Sequence, residues 1–257
     1  ANLLMDIEKG DKDRICVNIP PRHGKSQLVS IFFPAWFLGR NPDKKVMMVS
    51  HTTDLAVDFG RKVRNLIALD SYRSIFPTVK LAQDSKSAGR WNTNVGGEYY
   101  ACGIGSALAG RGADLLLVDD PHSEQDVING NFGVFEKAYE WFTFGARTRL
   151  MPQGRVAIIQ TRWHLDDLTG RVVRDMGKNE RADQYEVVEF PAILDVLDKK
   201  TEKTIQKPLW PEFFDLEALL RTKASMPVFQ WNSQYQQQPT TEEAAIVKRE
   251  WWNEWAK

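Results

Sequence analysis

The chain has 257 residues, enough to bury a full core as one large α/β domain, with or without a small appendage. Lys plus Arg and Asp plus Glu both number 34, so the formal net charge is zero. That weighs against a protein that coats nucleic acid by bulk charge, while a local basic face stays open. Its two cysteines, Cys16 and Cys102, lie outside metal-ligand spacing and suit a reducing cytoplasm. No apolar run approaches the roughly 20 residues of a membrane-spanning helix, and the N-terminus has no signal-peptide pattern, so an intracellular protein is expected.

Residues 1–13 read as the end of a helix (Leu3, Leu4, Ile7) and a polar turn at Gly10, which suggests an excerpt of something longer. Ile15 to Ile19 is β-branched and apolar enough for a buried strand, and it runs into Pro20-Pro21-Arg22-His23-Gly24-Lys25-Ser26. A strand feeding a tight loop that ends in Gly-Lys-Ser has the ending of a Walker A phosphate loop. Gly24 lets the backbone approach phosphate and the amides at the helix start point at the anion. Lys25 would neutralise the β- and γ-phosphates and Ser26 would ligate Mg²⁺. The opening glycine of the consensus is replaced by Ile19. Leu28, Ile31, Phe32, Ala35 and Trp36 then follow helical spacing and predict a helix packed on the sheet, with a kink or a new segment at Pro34.

Lys44 to His51 reads as a second buried strand. Thr52 or Thr53 then caps a helix whose apolar face is Leu55, Phe59, Val63, Leu66 and Ile67. Alternating strands and helices imply parallel pairing with right-handed crossovers. Residues 71–97 are expected to be irregular or to form short antiparallel strands, and Glu98 to Ile104 a strand.

Asp114 to Asp120, DLLLVDD, carries four apolar residues and delivers two carboxylates at its C-terminal end, where ligands bind in open α/β sheets. This is the form of a Walker B segment: Asp119 would hold Mg²⁺ through water, and Asp120 would orient or deprotonate an attacking water. Two aspartates capping a helix are the structural alternative. Phe132 to Leu150 predicts one long aromatic-rich helix, and Gly154 to Thr161 a further buried strand. Its Gln160-Thr161 end is placed either to sense a γ-phosphate or to make strand-end hydrogen bonds. Asp166 and Asp167 cap the next helix, and His164 suits a turn or cap. Tyr185 to Phe190 reads as an edge strand.

The expected division is a P-loop ATPase core at 1–194, a small helical appendage at 195–238 with helices at Leu216 to Lys223 and Val228 to Gln236, and a linker at 239–257. Trp251, Trp252 and Trp255 in that linker are too apolar to end a finished domain without a partner.

IPPRHGKS at 19–26, GRGADLLLVDDP at 110–121, QTRWHLDDLTGR at 160–171 and the QWNSQYQQQP run within 209–239 together resemble the ATPase domain of a large terminase subunit, the DNA-packaging motor of tailed bacteriophages. The resemblance implies an additional-strand P-loop fold: a mostly parallel α/β sheet flanked by helices. It also implies ATP and Mg²⁺ as cofactors and translocation of double-stranded DNA through a portal protein. Further implied partners are a small terminase subunit and a homo-oligomeric, pentameric ring docked on the procapsid in the bacterial cytoplasm.

Carried over position by position, Pro21, Arg22, His23, Gly24, Lys25, Ser26 and Gln27 form the nucleotide loop, with Arg22 as the loop arginine. Asp119 matches the Walker B carboxylate, Asp120 the catalytic acid, and Thr161 the coupling segment. Two positions depart from the pattern. Arg22 lies two residues before Gly24, where many members place the arginine three before it, and Asp120 stands where the family usually has the longer Glu. The C-terminal nuclease of such subunits is expected to be missing, because Asp195 and Asp198 sit in a polar 195–204 turn without strand context. Arg111 lies at the far end of the acid-bearing strand. It is open to three roles: an arginine finger to a neighbouring subunit, a DNA-phosphate contact, or a brace of its loop, with Arg61 and Arg64 next in line as fingers. A helicase-like ATPase and a non-catalytic assembly module remain the alternative functions.

Overall fold

In the computed structural model, which describes residues 1–85, 87–198 and 202–240, the apolar runs assemble into one seven-stranded sheet. Its strands are β1 (Arg14–Asn18), β2 (Lys45–Ser50), β3 (Arg90–Asn92), β4 (Glu98–Gly103), β5 (Ala113–Asp119), β6 (Leu150–Gln160) and β7 (Glu186–Glu189). They lie in the order β3-β4-β2-β5-β6-β1-β7, and every neighbouring pair is parallel except β3 with β4. Leu115, Leu116, Leu117 and Val118 are all fully buried, because helices cover both faces of this central strand. A two-sided environment is what makes a strand read as an unbroken apolar run.

The helices are α1 (Asn2–Lys9), α2 (Phe33–Arg40), α3 (Thr53–Ala68), α4 (Asp70–Ile75), α5 (Glu124–Ile128), α6 (Gly133–Glu140), α7 (Leu168–Lys178), α8 (Leu216–Ala224) and the short α9 (Val228–Gln230). On one face Ile15, Val17, Leu115 and Leu117 pack with Phe37, Phe59 and Val63. On the other, Cys16, Leu116, Val118 and Val156 pack with Phe142, Leu168 and Val172. Gly10 closes α1 in the left-handed conformation, and Thr52 caps α3 by accepting the Leu55 amide at 3.3 Å. Both cysteines are buried and free.

Four sequence expectations are corrected. The helix after Ser26 opens with a π-helical segment, Gln27–Phe32, and α2 starts at Phe33 with Pro34 in its first turn. A wider turn advances the phase of the helix. Leu28 and Phe32 are therefore half exposed, while Val29, Ile31, Phe33 and Ala35 face the core. The stretch 132–150 is not one helix: α6 passes into a π-helical segment Trp141–Ala146 and a 3₁₀ turn Arg147–Arg149, and Leu150 already belongs to β6. Thr143 and Thr148 bond back to carbonyls of the preceding turn, a contact that bends helices. Within 71–97, expected to lack helix, α4 supplies the buried Tyr72.

The appendage, finally, is not purely helical. It contains an antiparallel pair, β8 (Ile193–Leu197) and β9 (Thr204–Pro208), and Asp195 lies in β8 rather than in a turn. Thr204, Ile205, Gln206 and Lys207 are exposed, so no buried face imposes an apolar alternation on them. Ala192, Ile193, Leu219 and Trp231 make a small separate core there, with Phe214 and Tyr235 packed against it. The three tryptophans of the proposed linker lie outside the described residues.

Candidate nucleotide site

β1 and β5 both end on the same edge of the sheet, separated by β6. Beyond β1 the Ile19 amide continues the pairing to the Gln160 carbonyl at 3.1 Å, and the chain then turns through Pro20 to Gly24 into a helical turn at Lys25 and Ser26. Gly24 has φ +78° and Arg22 φ +63°. Only the glycine takes this conformation without strain, and Trp210 Cζ3 would lie 3.8 Å from a Cβ built on it. Arg22 is exposed, and Pro21 is half-buried. The buried His23 donates through Nδ1 to the Pro21 carbonyl (2.8 Å) and stacks on Phe214 of the appendage at 5.2 Å. Burial lowers the His23 pKa against the opposing effect of the Pro21 hydrogen bond, which keeps the ring neutral.

The two acids occupy different environments. Asp119 is 1% exposed; Oδ2 accepts from Ser30 Oγ at 2.6 Å, and Oδ1 is buried without a hydrogen-bond partner. Asp120 has φ +43° and stands at the rim. Its Oδ2 pairs with Lys25 Nζ at 2.7 Å, and its Oδ1 accepts the Thr161 amide at 3.0 Å. The Thr161 hydroxyl donates to the Ile19 carbonyl at 3.0 Å. Thr161 thus stitches the end of β6 both to the end of β1 and to the second acid.

Burial, reinforced by the neighbouring Asp120 charge, pushes the Asp119 pKa up to about 6, against the pull of Lys25 and of the Ser30 and Ser26 hydroxyls. The sign of the consequence is fixed. Between about pH 4 and about pH 6 the folded chain holds a proton that the unfolded chain has released, so stability falls as pH rises through that window. Asp119→Asn is therefore expected to raise the melting temperature of the nucleotide-free protein at pH 7.5 by about 2–6 °C. The gain should vanish near pH 4, where both forms are neutral. Thermal melts of the two proteins across pH 4–8 check this, and an equal or lower Tm for the variant at pH 7.5 would refute it.

The structure therefore brings together Gly24, Lys25, Ser26, Asp119, Asp120 and Thr161, with His23 buttressing the loop. Gln27 does not face them; it is exposed and lines a groove with Ile31 and with Lys62 of α3. Arg111 is not brought to the site either. Its guanidinium bonds Glu98 at 3.3 Å and lies over the Tyr100 ring at 4.7 Å, at the opposite end of β5. Arg61 pairs with Asp58 on α3. Asp167 caps α7 as expected, but it is fully buried and also binds the Arg162 guanidinium at 2.8 and 3.1 Å. Sequence reasoning missed Ser30. Its one signal is a polar residue four positions after Ser26, inside an apolar helical stretch.

An unpartnered, buried carboxylate oxygen beside a serine hydroxyl fits a hard divalent cation. Among the described residues no cluster of three metal-ligating side chains occurs. An ion that takes one or two protein oxygens and completes its shell with phosphates and water needs no such cluster.

A mostly parallel sheet with one strand inserted between the loop strand and the acid-bearing strand is the arrangement that the sequence leads us to expect of an additional-strand P-loop fold. Over residues 16–253 the chain matches the family described as "Terminase large subunit, T4likevirus-type, N-terminal", and it belongs to that family. The large terminase of bacteriophage HK97 has a similar fold (TM-score 0.55, 14% identity, 92% of this chain and 49% of that one). So has the large terminase ATPase domain of Thermus phage P74-26 (TM-score 0.55, 14% identity, 92% of each chain). A third is the large terminase of the thermophilic bacteriophage D6E, solved in complex with ADP (TM-score 0.52, 11% identity, 91% of this chain and 52% of that one). This chain thus spans about half the length of the HK97 and D6E proteins and nearly all of the P74-26 domain. No curated protein matches it in sequence.

Proposed function

We propose that this chain is the ATP-hydrolysing module of a viral DNA-packaging terminase, coupling turnover to movement of double-stranded DNA into a procapsid. The observation that carries the reading is the contact of Lys25 with Asp120 at 2.7 Å, beside the buried Asp119. A loop lysine, a buried carboxylate for a metal and a rim carboxylate for water are the parts phosphoryl transfer needs. In this reading the amides of 22–27 and Lys25 bind the β- and γ-phosphates, and Arg22 reaches the γ-phosphate from the exposed side of the loop. Ser26 and Asp119 would hold Mg²⁺, which when bound neutralises phosphate charge as it builds up. Asp120, freed from Lys25 by the arriving phosphates, orients the attacking water and accepts its proton. Thr161 keeps Asp120 aimed through its backbone amide.

The division into a core (1–194), an appendage (195–238) and a linker (239–257) is part of the same proposal, supported by the separate small core around Trp231. So are a portal protein, a small terminase subunit and a ring of copies as partners. The tie of Arg111 to Glu98 and Tyr100 favours the bracing role for that residue over a finger.

Steady-state phosphate release tests the reading. Mg²⁺-dependent ATP turnover, stimulated by double-stranded DNA, is the expected result. Absence of turnover with and without DNA, in a protein that melts cooperatively, would leave only an assembly module.

A further inference from the structure

We propose that Gln237 is a positioning residue that ties the strand end holding Asp120 to the small C-terminal unit, so that turnover depends on this tie. The inference rests on the ATP-hydrolysing reading above. Five non-glycine residues among those described adopt positive φ: Arg22, Asp120, Gln153, Glu202 and Gln237. Arg22 and Asp120 belong to the candidate site. Gln153 lies in the irregular first part of β6, and Glu202 lies next to β9 in the β8–β9 connection. Gln237, at φ +60°, is 1% exposed and belongs to neither. A buried side-chain-bearing residue in the left-handed region persists only where its surroundings hold it there.

Both ends of the Gln237 carboxamide are engaged. Oε1 accepts the Arg162 amide at 3.1 Å, and Nε2 donates to the Gln234 carbonyl at 2.5 Å. The preceding amide, Thr161 N–H, is the one that donates to Asp120 Oδ1 at 3.0 Å. Two consecutive amides at the end of β6 therefore read two different groups: the rim acid of the site and the carboxamide of the C-terminal unit.

The Arg162 side chain is fixed independently by Asp167 and reaches Glu189 at 3.4 Å. Asp167 Oδ2 also accepts the Trp163 amide at 3.1 Å, so of the amides from Thr161 to Trp163 the middle one, that of Arg162, is the one held by Gln237. When triphosphate takes Lys25 away from Asp120, the Thr161 amide becomes the principal constraint on that carboxylate. Its own position is set by the bond of the Thr161 hydroxyl to the Ile19 carbonyl and, one residue further on, by Gln237. A misplacement of about 1 Å that originates far from the reacting atoms can cost up to about 100-fold in rate.

A residue that merely fills a buried gap would affect stability, or loosen the whole site, without a preference for the chemical step. The informative variant is Gln237→Asn. Asparagine tolerates the left-handed conformation, so the fold is retained, but it is one methylene too short to reach both partners. In the full chain, kcat for ATP is expected to fall about tenfold, with KM within about threefold of the parent protein, the scale of one hydrogen bond expressed in the transition state. Gln237→Glu keeps the reach and, with its buried carboxyl protonated, both contacts, one oxygen accepting from Arg162 and the hydroxyl donating to Gln234. In that form it should restore kcat to within about threefold. Hydrogen exchange of the nucleotide-free proteins supplies a readout independent of turnover. The Thr161 and Arg162 amides should exchange faster in the Asn variant and at the parent rate in the Glu variant.

Parent-like kcat or unchanged Thr161 exchange in Gln237→Asn overturns the proposal. So does a rise in KM that matches the fall in kcat, or a Glu variant as impaired as the Asn variant. Absence of turnover in the parent protein would instead refute the ATPase reading, and the exchange experiment would still decide the tie.

Discussion

Lys25→Ala is expected to abolish ATP turnover and to weaken triphosphate binding, the largest effect of any single substitution in the chain. Among the described residues, Lys25 is the cation that pairs with Asp120. Its removal has two consequences that act together. The phosphates lose a charge-assisted partner, one of the strong hydrogen-bond types. Asp120 loses its counter-ion, so a second negative charge beside Asp119 opposes the incoming anion. Turnover measured by phosphate release and affinity measured with a non-hydrolysable triphosphate check both. Activity surviving within a few-fold would remove the phosphate-loop assignment.

Asp120→Asn separates binding from chemistry. The carboxamide oxygen introduced there would still accept the Thr161 amide, and Lys25 would be freed rather than lost, so nucleotide and Mg²⁺ binding should persist or tighten. Turnover should fall by about 10²-fold or more, the scale of losing a positioned base. Should binding collapse with turnover, Asp120 is the metal ligand and the two acids exchange roles. The geometry argues for the first outcome. Asp119 is the buried acid with an unpartnered oxygen beside Ser26, whereas Asp120 stands at the rim, paired with the lysine.

How much of this could be read from the chain alone follows from what each element faces. β1, β2, β5 and the end of β6 are covered on both sides, and their apolar runs announce them. The site residues on their ends come with them, since a strand that stops at Asn18 or Asp119 delivers the next residues to one edge of the sheet. The helix phase after Ser26 was not legible. A π-helical turn leaves no mark in apolar spacing beyond a mismatch, here Leu28 and Phe32 turned outward. β8 and β9 were illegible for a different reason: β9 is exposed from Thr204 to Lys207 and has no buried face to impose a pattern, and β8 fully buries only its first residue, Ile193. Gln237 lies beyond sequence reasoning altogether. Its role comes from a contact with Arg162 across 75 positions of chain.

The two borders of the sheet bear on how copies of this chain can meet. One border is β3, only three residues long and antiparallel; the other is β7, four residues long with Glu186 and Glu189 exposed at its ends. Glu186 is further engaged by Lys12. Short borders carrying charge offer little main-chain template for strand addition. A ring of this chain would therefore be cemented through helical faces and loops, with no continuous sheet running from one copy into the next.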